Sequence, residues 1–126
     1  MLRTALVLVA LVVALCNAHL CLVNPTQRGV WTEDALNTEA DNSCIKLDSP
    51  CGGDDAADPQ VVFEAGANFT LVFQKNLNHY NADAPGNFTV TYFDSPSMKD
   101  GTVMFTTADT NTSSLTIYTP SFKWPS

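Results

Sequence analysis

The chain has 126 residues, a net charge of −7 and a sequence pI near 4.4, which is enough for one small domain. The acidic balance disfavours nucleic-acid phosphates and anionic lipid headgroups as partners, because like charges repel. The only long apolar run, ALVLVALVVAL at 5–15, has 11 residues, too few to span a bilayer as a helix, so no direct membrane span is expected.

In chain order, that run follows Arg3 and is followed by Cys16, Asn17 and Ala18. A basic residue, an apolar core and small residues before a cut form a secretory signal peptide. Residues 1–18 are therefore expected to be removed, and 19–126 to form one secreted, extracellular domain. Removing 18 of the 126 residues leaves 108, and the loss of Arg3 takes the charge to −8. The sequons Asn68-Phe69-Thr70, Asn87-Phe88-Thr89 and Asn111-Thr112-Ser113 agree with secretion and predict exposed, glycosylated asparagines at 68, 87 and 111.

HLCLVNP (19–25) predicts a first strand, ended by Pro25. Residues 24–60 are rich in Pro, Asp, Asn, Gly and Thr and read as loops. One helical turn is expected at most, in TEDALNTEA (32–40), with a threonine cap and Glu33. Gly29, Gly52 and Gly53 are expected in turns. Arg28 is expected in an ion pair. From 60 onward the pattern changes. QVVFEA (60–65), NFTLVFQ (68–74), NFTVTYF (87–93), TVMFTT (102–107) and SLTIYTP (114–120) are short, β-branched and aromatic, and bounded by turn residues. APGN (84–87) predicts a turn with Gly86 at positive φ. The spacing predicts an all-β fold, an antiparallel β-sandwich with a loop-rich N-terminal region.

Cys21, Cys44 and Cys51 remain after the cut. Cys44 and Cys51 flank a short Pro-containing loop and can pair with each other; either can equally pair with a cysteine beyond Ser126. The odd count, and an end at YTPSFKWPS that reads as a Pro-punctuated linker, lead us to expect a C-terminally incomplete chain. A lipid anchor encoded past residue 126 stays open.

Two histidines remain, His19 and His79. Cleavage after Ala18 makes His19 the first residue. Its freed α-amine and ring Nδ1 can then chelate one ion, and a second imidazole adds a third nitrogen. In unperturbed peptides an α-amine titrates near 7.7–8 and an imidazole near 6.5, so both give way to a metal at neutral pH. Three nitrogens with open positions suit Cu(II) ahead of Zn(II) or Ni(II).

HLCLVNPTQRG (19–29), SPCGG (49–53) and FQKNLNHYNADAPGNFTV (73–90) together resemble the copper acquisition factor family, small secreted proteins similar to lytic polysaccharide monooxygenases. The resemblance implies an immunoglobulin-like β-sandwich and a Cu2+ site, a histidine brace in which His19 supplies amine and ring nitrogen and His79 the third nitrogen. It also implies a carboxylate near the metal. Asp83, in the same block as His79, is the first candidate and Asp94 the second, each competing with ordinary turn chemistry. Tyr80 packs either near the metal or in the core. The implied function is extracellular copper capture or homeostasis, with copper ion as ligand and a copper-receiving membrane transporter or cell-surface component as partner. Two other readings stand: a copper-dependent polysaccharide monooxygenase, and a metal-free secreted interaction module. A monooxygenase needs a flat aromatic surface around the metal, and only Trp31 of the two tryptophans lies near a block that carries the resemblance.

Overall fold

The computed structural model describes residues 19–29, 31–48, 51–95 and 97–126. The expected signal peptide, residues 1–18, lies outside them. Short β-branched and aromatic runs pair into antiparallel sheets, and the fold is all-β. Among the described residues seven strands form: β1 (Leu20–Asn24), β2 (Asn68–Thr70), β3 (Val72–Lys75), β4 (Asn87–Tyr92), β5 (Thr102–Ala108), β6 (Thr116–Tyr118) and β7 (Ser121–Lys123). One sheet has the order β1-β3-β6; β2 pairs with β7, and β4 with β5. No helix among the described residues is long and apolar enough to cross a membrane.

The run NFTLVFQ does not stay in one sheet. Asn68–Thr70 pairs with Ser121–Lys123, whereas Val72–Lys75 pairs with β1 and β6. The switch falls at Leu71, whose N–H donates to the Pro120 carbonyl at 2.9 Å. Pro120 has no N–H to offer a ladder, so the returning segment changes sheet at the same level.

The three-stranded sheet meets the β4–β5 ribbon through aromatic rings. Phe73 on β3 stacks on Tyr118 of β6 with centroids 4.9 Å apart, and Phe88 of β4 lies 5.3 Å from both. A second aromatic group gathers Phe63, Phe69, Tyr92 and Phe122 around Trp124. On its other face the β1–β3 pair is covered by the loop-rich segment. There Cys21, Ala35 and Cys44 are fully buried, with Trp31 and Leu36 packed against them.

Several expectations need correction. Residues 60–65 form no strand: Val61 and Val62 are exposed, Val62 at 91 %, and only Phe63 is anchored, by stacking on Trp124. β-branched residues without a neighbouring strand have no surface to pack on. SFK (121–123) is a strand, not linker, and Trp124 N–H extends its pairing to Ala67 O at 2.7 Å. The helical turn expected in TEDALNTEA is present as a 3-10 turn, Glu33–Leu36, but Thr32 makes no side-chain capping hydrogen bond, and two further 3-10 turns, Asn42–Cys44 and Cys51–Gly53, exceed the single turn expected. Gly86 lies outside the positive-φ region, the bend falling at residues 82–84 instead. Gly29 does need its freedom, with φ at 84° and the Asp54 carboxylate where a Cβ would stand. The ion pairs among the described residues are Lys46–Asp54 and Lys75–Asp109, and Arg28 joins neither.

The disulfide links Cys21 to Cys44, Cα atoms 4.6 Å apart, not Cys44 to Cys51. β1 lies under the 3-10 turn Asn42–Cys44 and turns Cys21 inward, so the two cysteines meet in the small core beneath the loops. Cys51 opens a separate turn at 51–53.

Candidate metal site at the start of β1

His19 is fixed by its main chain. It forms an antiparallel bridge with Ile45, next to the disulfide-bonded Cys44. Its carbonyl accepts the Asn76 N–H at 2.9 Å just beyond the end of β3. Asn76 is fully buried. Its Oδ1 accepts from Asp41 N–H at 2.8 Å, and its Nδ2 donates to the Ala35 and Thr38 carbonyls, both at 2.9 Å. One asparagine therefore ties the loop segment 35–41 to the strand end that holds His19. Asp41 in turn accepts from the Ser43 hydroxyl at 2.6 Å and the Ser43 N–H at 2.8 Å. The hydroxyl first, then the amide, hold its carboxyl below the ordinary carboxylate range.

His79 stands in the loop after β3. Asn78 shapes that loop: its N–H donates to Ser114 Oγ at 3.0 Å, and its Oδ1 accepts from Tyr80 N–H at 3.0 Å. Its Nδ2 donates to Asn111 Oδ1 at 2.9 Å, and the Ser114 hydroxyl donates onward to Glu39.

The consequence is a close histidine pair. His19 Nδ1 and His79 Nε2 are 3.1 Å apart, and the rings stack with centroids at 5.2 Å and planes 25° apart. Without a metal, one imidazole N–H donates to the other ring's lone pair. With one, two metal–nitrogen bonds of about 2.0–2.1 Å span up to about 4 Å, so a single ion fits between these nitrogens. Among the described residues no three His, Cys, Asp or Glu side chains cluster to hold an ion. A cut before His19 would add the His19 α-amine to the two ring nitrogens.

Beside the histidines lies a cavity of about 780 Å3. Leucine, phenylalanine and valine supply most of its apolar lining, and His19, His79, Lys75 and Asp109 are among its polar residues. Lys75 is 3 % exposed. Its Nζ meets Asp109 Oδ1 at 2.7 Å and Thr110 O at 2.8 Å. This buried pair was missed by sequence reasoning, yet it had a signal. In VFQKNLNH, Phe73, Lys75 and Leu77 alternate on one face, so a lysine on that face needs a buried partner.

The structure brings His19 and His79 together and does not bring Asp83 to them. Asp83 is exposed, its N–H donates to Asn81 Oδ1 at 2.9 Å, and it does not line the cavity. Asp94 is exposed beyond β4. The carboxylate on the cavity wall is Asp109. Tyr80 is half-buried and off the cavity wall. Asn68, Asn87 and Asn111 are all exposed.

No protein-family model, no curated protein and no solved structure matches the chain.

Proposed function

We propose that the chain is a secreted copper(II)-binding protein of the histidine-brace type, built on an immunoglobulin-like sandwich, that captures extracellular copper and passes it on. The observation that carries this reading is the 3.1 Å approach of His19 Nδ1 to His79 Nε2, across 60 residues of sequence. The His19 α-amine, once freed, His19 Nδ1 and His79 Nε2 would hold the ion, and bound copper would supply a cation that nitrogen donors favour. The residues around the set fix it rather than react. Asn76 holds the His19 main chain and Asn78 shapes the His79 loop.

Capture is favoured over polysaccharide oxidation. Trp31 packs against the disulfide core and Trp124 belongs to the distal aromatic group, so neither offers a flat platform at the histidines. His79 is exposed, which suits an ion that is taken up and handed over.

The deciding experiment uses protein secreted with its native signal. Mass spectrometry is expected to find His19 first, and a Cu(II) titration followed by electron paramagnetic resonance is expected to saturate at one ion per chain with a nitrogen-rich tetragonal spectrum. A different first residue, or a His79→Ala variant with an unchanged spectrum, overturns the reading. Release of oxidised sugars from chitin or cellulose with peroxide makes the protein an enzyme instead.

A further inference from the structure

We infer that the cavity beside the histidines is a slot for an extended peptide strand from another protein, uncharged along its middle and basic at its ends. This does not rest on the copper reading, although His19 and His79 line the same cavity. One wall is the apolar face of the β1–β3 sheet, where Leu20 and Leu22 lie opposite Lys75 and Phe73 in register. The other wall is contributed by β4 and the residue before it, Gly86 to Val90 without a gap. A strand that offers its face supplies every second residue. Five in succession mark its edge.

That edge is unpaired: among the described residues β4 is hydrogen-bonded only to β5. Alternate N–H and C=O groups along its other side therefore point away from β5 with no strand to meet them. Main-chain groups in an apolar recess need partners, and an open edge is a template for one more strand. A compact apolar molecule would fill the wall of leucines and leave this row unsatisfied. An extended segment satisfies both, by main-chain pairing along β4 and by alternate side chains on the sheet face. The six residues of β4 run about 20 Å at about 3.3 Å each, and a cavity of about 780 Å3 lies within the usual size of a binding site.

Charge selects the occupant. The Lys75 ammonium is already neutralised by Asp109, so neither of these two is free to pair with a charge in the middle of the strand. The chain as a whole carries −7, which favours basic ends.

The test is made on the secreted chain, enzymatically deglycosylated because Asn87 lines the slot and kept copper-free with chelator, so that failure of copper binding and failure of strand binding are read separately. The probe is a fluorescein-labelled peptide of alternating threonine and valine with a lysine at each end, followed by fluorescence anisotropy. Saturable binding is expected. N-methylation of alternate amides along one edge of the peptide should weaken it at least tenfold, and the same modification along the other edge should leave it unchanged. Replacing the end lysines by glutamates should weaken it at low salt. A Leu22→Lys variant should lose binding while Val103→Lys, on exposed β5 surface, keeps it. The N-methylated pair decides the matter even if the Leu22 variant fails to fold. Absence of saturable binding overturns the proposal. So do equal affinities of the two N-methylated peptides, which mean capture by an apolar hole, and a dimer of the chain that the peptide cannot displace.

Discussion

At the scale of single residues, the histidine pair and the lysine–aspartate pair invite opposite experiments. His79 is exposed, so His79→Ala should cost little stability while removing a proposed copper ligand. The expected outcome is a Cu(II) affinity at least a hundredfold lower by competition titration, with thermal unfolding nearly unchanged. Asp83→Asn should leave the copper spectrum as it is, because Asp83 faces solvent away from the cavity; an altered spectrum would return Asp83 to the ligand set. Lys75 behaves differently. Lys75→Ala strands the Asp109 carboxylate, 15 % exposed, without its cation, and should destabilise by roughly 3–5 kcal/mol in denaturant unfolding. A Lys75→Met, Asp109→Leu double variant should recover most of that loss, since an apolar pair of similar volume carries no desolvation cost. Asp41 supplies a pH dependence. Its carboxyl is held low in the folded chain by Ser43, so the folded state binds that proton less readily than the unfolded one. The corresponding stability is present above the unfolded carboxylate value, about 3.9, and fades as pH falls through the lower folded value. Ser43→Ala should remove the hydroxyl's share of that component from an acid titration of unfolding and leave the share of the amide, which alanine keeps.

At the scale of elements, the disulfide is the clearest case. It closes a loop of 23 residues in sequence separation. In the chain-entropy account such a closure is worth about 3 kcal/mol. A Cys21→Ala, Cys44→Ala variant should lose about that much by equilibrium unfolding, and should bind copper more weakly because Ile45, the bridge partner of His19, is next to Cys44. The strands show how far sequence alone reaches. β4 and β5 were legible to within a residue at either end, because alternation over six or seven residues is a strong signal. β7 was not: three residues carry no period, and the flanking prolines point to a linker. What makes Ser121–Lys123 a strand is remote, the ladder to β2 and the packing of Phe122 and Trp124. The reverse holds for Val61 and Val62, whose local preference finds no partner. Half of the candidate site was equally legible, since His19 and His79 can be singled out from the letters and the structure brings them together; the expected cut before His19 lies at the border of the described residues. The Cys21–Cys44 pairing, the cavity and Asp109 could not be singled out in this way, because each depends on which strands lie side by side.

At the scale of the whole molecule, the expected function is conditional on processing. The α-amine of His19 does not exist as a donor while residue 18 is attached. Protein carrying one extra alanine before His19 should fold as well by circular dichroism and bind Cu(II) much more weakly by calorimetry. An extension that leaves affinity unchanged would remove the amine from the donor set. A second consequence lies in where the fold places its cross-link. The Cys21–Cys44 bridge is two residues from His19 on one side and one residue from its bridge partner Ile45 on the other. The disulfide and the proposed copper site are therefore coupled through the His19–Ile45 bridge. A strong thiol reductant loosens the platform on which the first histidine stands, and an oxidising milieu restores it. Copper retention in this molecule should consequently track the thiol–disulfide poise of its surroundings, high outside a cell and low wherever glutathione is abundant.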